Sequence, residues 1–321
     1  MVSSTVMEIS VNGARASSEL ITRLTANVAN AVVVEHAKLR LMVAALIARG
    51  HILLEDVPGV GKTLVAKALA KSLDASFKRV QGTPDLLPSD ITGSSLYDQR
   101  TQEFKFMPGP IFAHVVLMDE INRATPRTQS SLLEALAEGQ VTTDGVTRKL
   151  EPPFFVIATQ NPVETAGTFP LPEAQLDRFL FSLSLGYPGL EAERRILEQE
   201  EHQNPLEAVQ PVLSLAEVLH LQTEVLKVSV ARPVKDYILQ LVAATRGHGD
   251  VVLGVSPRGG VAVQRAAQAM ALLAGRTFAT PDDVKAVAVA TMSHRLLTRQ
   301  RGLETGRAVI EELLNRVPVP L

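Results

Sequence analysis

Cysteine and tryptophan are absent from this 321-residue chain, and 3 Tyr and 10 Phe supply its only aromatic rings. Without a thiol there is no disulfide framework, no cysteine nucleophile and no thiolate metal site. An unstapled chain must hold together through its core, which suits a reducing compartment, so a cytoplasmic location is expected. Aromatics at 4% poorly supply stacking platforms for single-stranded nucleic acid. Charge of one sign is lacking too. The 32 basic and 34 acidic residues leave a formal −2, so no nucleic-acid partner is expected. Long apolar runs are also missing. LMVAALIA at 41–48 is too short to span a bilayer. The opening MVSSTVMEISVNGAR has no basic residue before Arg15 and no apolar stretch of leader length. What is present, 46% hydrophobic and 21% charged residues, is a globular composition long enough for about two domains.

Residues 1–17 are polar and aperiodic and read as a frayed end. From Ser18 to Arg49 apolar residues recur every three or four positions, the spacing of amphipathic helix, with a break near AVVVEH. Short apolar runs then alternate with helical stretches to about residue 186. HILLED (51–56), FKRVQG, VVLMDE (115–120), FFVIATQNP and LDRFLFSLSL read as buried strands. KTLVAKALAKSL (62–73) and TPRTQSSLLEALAEGQ read as helices, the second with Thr125 as N-cap and Pro126 at the first helical position. TPDLLPSDITGSS is turn-rich, FKFMPGPIF is a hairpin arm or a loop, and GQVTTDGVTRKLEP turns at Asp144-Gly145 as a hairpin. This alternation predicts an α/β domain with a mainly parallel sheet over 1–187. After the break at Pro188-Gly189 strand patterns fade, and 188–321 reads as a helical domain in which Thr280 and Asp283 form a capping box.

EDVPGVGKT (55–63) follows an apolar strand and opens a helix. It fits the phosphate-loop pattern G-x-x-x-x-G-K-[ST] except at its first position, where Asp56 replaces glycine. Successive backbone amides and the positive end of a helix hold phosphate, so Pro58, Gly59, Val60, Gly61 and Leu64 are candidate cradle residues. Lys62 supplies a point charge for the β/γ oxygens and Thr63 a hydroxyl for Mg²⁺. Asp56 is tolerable if its side chain points away from the phosphates and harmful if it points inward. VVLMDE ends in two acids, 57 residues after Lys62. Asp119 would hold Mg²⁺, directly or through water, and Glu120 would orient and deprotonate the attacking water. Asn161 follows the next strand and could position water or the γ-phosphate, or simply form an Asn-Pro turn. His51, His114 and His294 lack metal-ligand spacing and read as packing or capping groups.

These stretches together resemble the MoxR family of AAA+ ATPases. The resemblance rests on GHILLEDVPGVGKT (50–63), QGTPDLLPSDITG (81–93), FMPGPIFAHVVLMDEINRATPRTQSSLLEAL (106–136), FFVIATQNPVETAGTFPLPEAQLDRF (154–179), VVLGVSPRG (251–259) and HR at 294–295. It covers roughly residues 30–300, and LPEAQLDRF together with SPRG is highly specific. One departure is Glu35, where the family usually has glycine in a segment that borders the adenine. The resemblance implies a P-loop AAA+ core with a five-stranded parallel sheet, followed by a smaller all-α lid, with ATP and Mg²⁺ as cofactors. It also implies that Arg178 is an arginine finger offered to the next subunit's ATP, and that Arg258 is the lid arginine sensing the γ-phosphate. Arg123 is a secondary candidate for the neighbouring site. The segment 82–112 and the hairpin at Asp144-Gly145 resemble the two insertions of the helix-2-insert clade, which face a pore or client.

The resulting expectation is a ring, of hexameric type, that hydrolyses ATP to remodel or mature client proteins. Metal-cofactor insertion and a partner with a von Willebrand factor A domain are implied by the family. A nucleic-acid-remodelling protein and a nucleotide-gated scaffold without turnover are the alternatives.

Overall fold

The computed structural model describes residues 2–162, 167–202, 204–300 and 303–320, without the side chains of 2–12, 196, 199–202 and 303. The VETA stretch of the family resemblance, 163–166, therefore lies outside the described residues. Two helices, α1 (Val2–Ala29) and α2 (His36–Ile47), precede the first strand. There follow β1 (Ile52–Glu55), α3 (Lys62–Ser72), β2 (Phe77–Gln81), α4 (Pro88–Thr92), β3 (Gly93–Asp98), β4 (Glu103–Pro108), β5 (Val115–Asp119) and α5 (Pro126–Glu138). Next come β6 (Gln140–Thr143), β7 (Val146–Lys149), β8 (Phe155–Gln160), α6 (Glu173–Leu176) and β9 (Phe181–Leu183). The C-terminal part holds α7 (Leu190–His202), α8 (Leu215–Lys227), α9 (Arg232–Arg246), β10 (Val251–Leu253), α10 (Pro257–Leu273), α11 (Pro281–Met292), β11 (Leu297–Thr298) and α12 (Leu303–Arg316).

All five expected strands form one parallel sheet in the order β2-β5-β8-β1-β9. Each central strand sends alternate residues to opposite faces, as a two-residue repeat requires. Ile52 and Leu54 of β1, Val115 and Leu117 of β5, and Phe155 and Ile157 of β8 join one cluster with α1, α2, α3 and the C-terminal helices. Leu53, Val116, Met118, Val156 and Ala158 face the other way, against α5 and its surroundings. The strands' C-terminal ends share one edge, the place where open α/β sheets bind ligands.

Two expectations are corrected. Residues 1–17 are not a frayed end, because α1 runs from Val2. Ala14 and Ser17 are buried in register with Ile21, Leu24 and Val28, and Ser18 Oγ donates to the Leu273 carbonyl of α10 at 2.9 Å. Small side chains continue the buried stripe without a hydrophobic signal. LDRFLFSLSL is strand only over Phe181–Leu183, and its first residues complete α6 and a turn. The helical part also carries an antiparallel pairing of β10 with β11. FKFMPGPIF resolves as a hairpin arm, since β4 pairs antiparallel with β3. Asp144 (φ 53°) and Gly145 (φ 73°) turn the β6–β7 hairpin, both in the left-handed region that such a turn demands. Thr125 caps α5 by accepting from the Thr128 amide, with Pro126 at the first position. Among the described residues no helix is long and apolar enough to cross a membrane.

Candidate active site

The turn after β1 carries the phosphate-loop sequence onto α3. Gly59 (φ 88°) and Gly61 (φ 86°) adopt left-handed backbone, which costs a side-chain-bearing residue about 1–2 kcal/mol. A Cβ at either position would meet nothing within 4 Å, so backbone conformation and not crowding calls for glycine here. Gly61 is the N-cap of α3 and offers no side-chain cap, which leaves the first helical amides available to an anion. Lys62 opens the helix, and its Nζ donates to the Asp56 carbonyl at 2.9 Å. Burial lowers the pKa of Lys62, while the charges of Asp56, Asp119 and Glu120 oppose that shift. Leu54 of β1 lies opposite Thr159 of β8, which bonds both Asp119 and the Glu120 amide, so the loop and the acid pair sit at adjoining strand ends. Loop geometry, uncapped amides and lysine together fit a polyphosphate.

Asp56, the residue that departs from the generic pattern, points away from this cradle. Its carboxylate accepts from Ser184 Oγ at 2.8 Å and from the amides of Leu185 and Gly186 at 2.7 and 3.0 Å. The tolerable orientation is the one found.

At the tip of β5, Asp119 is buried and Glu120 half-buried. Asp119 Oδ1 accepts from Thr159 Oγ1 at 2.6 Å, and Oδ2 pairs with Arg79 at the same distance. Glu120 has a left-handed backbone (φ 54°, ψ 50°), a strained conformation for a residue with a side chain. Its amide donates to Thr159 Oγ1 at 2.9 Å, and its Oε2 accepts from Gln81 at 2.8 Å and pairs with Arg123 at 3.1 Å. Thr159 therefore fixes both acids at once. Gly82 packs so closely on the Glu120 carbonyl that a Cβ there would collide with it. Thr63 and Asp119 are the residues that would hold Mg²⁺, which favours oxygen ligands and keeps several from water and phosphate.

Asn161 directly follows β8 and lines a small cavity, of about 200 Å³, with Asn122 and Gln160. Arg178 lies in the turn between α6 and β9, and Arg258 is exposed in the first turn of α10, after the N-cap Ser256 and Pro257. Beside the phosphate loop is a cavity of about 500 Å³, walled by residues 31–35, Lys38, Gly59–Gly61, Leu64 and 185–189. Neither Arg178 nor Arg258 lines it. Glu35 does, and it pairs with Lys38 at 3.3 Å.

Sequence reasoning missed Thr159, Arg79 and Gln81. Thr159 could have been flagged by alternation along β8, which points it opposite to Ala158. Arg295 stands in the HR pair of the family resemblance, but its partners are set only by the fold. Of the three histidines named in the sequence analysis, His51 and His294 are buried packing groups. His51 accepts from the Val156 amide at 3.1 Å and lies 3.2 Å from the Leu136 carbonyl.

Residues 51–181 match the family described as "ATPase family associated with various cellular activities (AAA)", and 243–313 match the AAA lid domain. The chain is 52% identical to the uncharacterized protein YeaC of Bacillus subtilis strain 168, over 88% of this chain and 89% of that one. It is 38% identical to the chaperone MoxR1 of Mycobacterium tuberculosis, over 96% of this chain and 84% of that one. A crystal structure of a Cytophaga hutchinsonii protein superposes with a TM-score of 0.89 at 36% identity, covering 98% of this chain and 99% of that one. With the phosphate loop, the acid pair and the helical C-terminal part arranged as described, the chain belongs to the MoxR family of AAA+ ATPases.

Proposed function

We propose that this protein hydrolyses ATP to ADP and phosphate in the presence of Mg²⁺, and uses the cycle to remodel or mature other proteins. The observation that carries the reading is that the glycine loop with Lys62 leaves β1 beside Thr159 of β8, which bonds Asp119 and the Glu120 amide at the C-terminal edge of the sheet. In this reading the amides of 59–64 bind the phosphates and Lys62 neutralises the β/γ oxygens. Glu120 takes a proton from water as its oxygen attacks the γ-phosphorus and the bond to the β-phosphate oxygen breaks. Mg²⁺, held by Thr63 and Asp119 with the nucleotide, would offset charge on the phosphate oxygens. Thr159 sets the direction of both acids, and Asn161 faces the γ-phosphate side. The adenosine part would occupy the cavity beside Leu64 and residues 31–35, near Glu35.

Arg178 and Arg258 complete the machinery. Arg178 would be supplied to the neighbour's site in a ring, of hexameric type, as the family resemblance implies. A cation supplied in this way is worth about 10³–10⁵ in rate. Arg258 would sense the γ-phosphate from the lid. Residues 1–187 would form the core and 188–321 the lid.

The chaperone-like role follows the named relative, and metal-cofactor insertion, a partner with a von Willebrand factor A domain and a cytoplasmic setting follow the family. The hairpin β3–β4 supports a client-facing role by exposing Leu96, Tyr97, Phe104 and Met107. It is braced on the β6–β7 hairpin by Ser95 to Asp144 at 2.6 Å and by Arg148 stacked 3.7 Å over Phe106. The test is phosphate release by wild type and Glu120→Gln. Turnover that vanishes while ATP stays bound supports the reading, and equal turnover refutes it.

A further inference from the structure

Asp56 occupies a position where a glycine would satisfy the generic phosphate loop, yet it is only 4% exposed and fully engaged. All three of its carboxylate donors, Ser184 Oγ and the Leu185 and Gly186 amides, lie on the segment that leaves β9 toward α7. Lys38 holds the same segment from the opposite side, donating to the Leu185 carbonyl at 2.8 Å. The Leu185 backbone is thus gripped at its amide by Asp56 and at its carbonyl by Lys38. Gly186 (φ 69°) turns the chain at the end of this grip. Beyond it, Tyr187 is 75% and Leu190 84% exposed. The main chain of Asp56 faces the phosphate site, since its carbonyl accepts from Lys62 Nζ. One residue therefore touches the phosphate lysine through its backbone and the exit segment through its side chain.

We propose that Asp56 is a positioning residue that couples occupancy of the phosphate loop to the segment leading into the C-terminal helices. The proposal rests on the ATP-binding reading. When Lys62 transfers its hydrogen bond from the Asp56 carbonyl to a phosphate oxygen, the peptide at 56 is released. The carboxylate carries that adjustment to residues 184–186. Glycine at 56 would bring the loop closer to the generic pattern but would leave the amides of Leu185 and Gly186 without their acceptor, so loop and exit segment would move independently. A purely static brace would lower stability without altering the response to nucleotide.

The absence of native cysteine allows the test in the full chain. Lys67→Cys on α3 and Leu239→Cys on α9 place two labels at exposed sites, one on a helix before the exit segment in the chain and one on a helix after it. Labelled subunits are diluted into unlabelled ones, and the label distance is measured with and without a non-hydrolysable ATP analogue. The parent protein is expected to change its distance distribution on binding the analogue. Asp56→Gly is expected to bind a fluorescent analogue within about threefold of the parent affinity. It is also expected to lose the distance change, with kcat lowered about tenfold or more at a KM near that of the parent. Asp56→Asn, which keeps one acceptor oxygen, is expected to fall between, and it carries the test if the glycine variant does not fold. A nucleotide-driven change preserved in both variants overturns the proposal, as does a parent protein that binds the analogue without any change. A parent protein that fails to bind the analogue at all overturns the ATP reading itself, and the proposal with it.

Discussion

Arg295, from the turn after α11, places its Nε 2.6 Å from Asp177 Oδ1, immediately beside Arg178. The guanidinium also donates to the carbonyls of Asp177, Phe179 and Leu180, so it caps the turn from which Arg178 projects. Ser256, the N-cap of α10, reaches the same carboxylate at 3.4 Å. Gly259 of SPRG lets α10 approach closely, since a Cβ there would strike Val255 and press on the Arg295 stem. LDRF, SPRG and HR, three separate motifs in the sequence, thus meet in space around one ion pair.

Removing half of that pair is expected to be costly. The Arg295 side chain is only 3% exposed, and Asp177→Ala would leave a buried charge without its partner. A loss of about 3–5 kcal/mol is expected in denaturant titrations. A loss under about 1 kcal/mol, typical of an exposed pair, would contradict the assignment.

Acid should weaken the fold through His51. Burial lowers its pKa to about 4 from 6.5, so the native imidazole stays neutral where the unfolded one takes a proton. Below pH 6.5 the unfolded state binds the extra proton, so stability falls as pH drops from 6.5 to about 4, then levels for this residue. The contribution is roughly 3 kcal/mol at 1.36 kcal/mol per pKa unit. His294, also held low by burial, acts in the same direction. Unfolding midpoints measured across this window should show a shallower slope for His51→Gln than for wild type.

Thr159→Val keeps the shape of β8 but removes the hydroxyl that donates to Asp119 and accepts from the Glu120 amide. The orphaned amide and the lost alignment should cost about 1–3 kcal/mol in activation free energy, read as a drop in kcat. An unchanged kcat would show that the acids are held by Arg79, Gln81 and Arg123 without Thr159.

Lys62→Ala is expected to abolish tight ATP binding, since it removes the one cation of the loop. Isothermal titration or a fluorescent analogue reads this directly, and binding at wild-type affinity would move the phosphate site elsewhere.

The five-stranded sheet, the phosphate loop, the β6–β7 turn and the Thr125 cap were legible because each writes a local pattern. A buried strand is an apolar run, and a left-handed turn needs Asp-Gly. Long-range polar contacts leave no such trace. Asp56 finds Ser184, 128 residues later, only after β1 and β9 pair. Arg295 caps a turn 115 residues upstream. The first half of α1 was hidden because Ala14 and Ser17 bury without being strongly hydrophobic. The helix α12 was not singled out, although Val309, Ile310 and Leu313 give it a buried stripe.

In the proposed function, Arg178 of a neighbouring chain completes the ATP site. The most direct test is phosphate release by mixtures of Arg178→Ala and Glu120→Gln subunits, each inactive alone. Activity is expected to reappear on mixing, because the intact acid of one subunit meets the intact arginine of the other. Silence at every ratio, with assembly preserved, would contradict it.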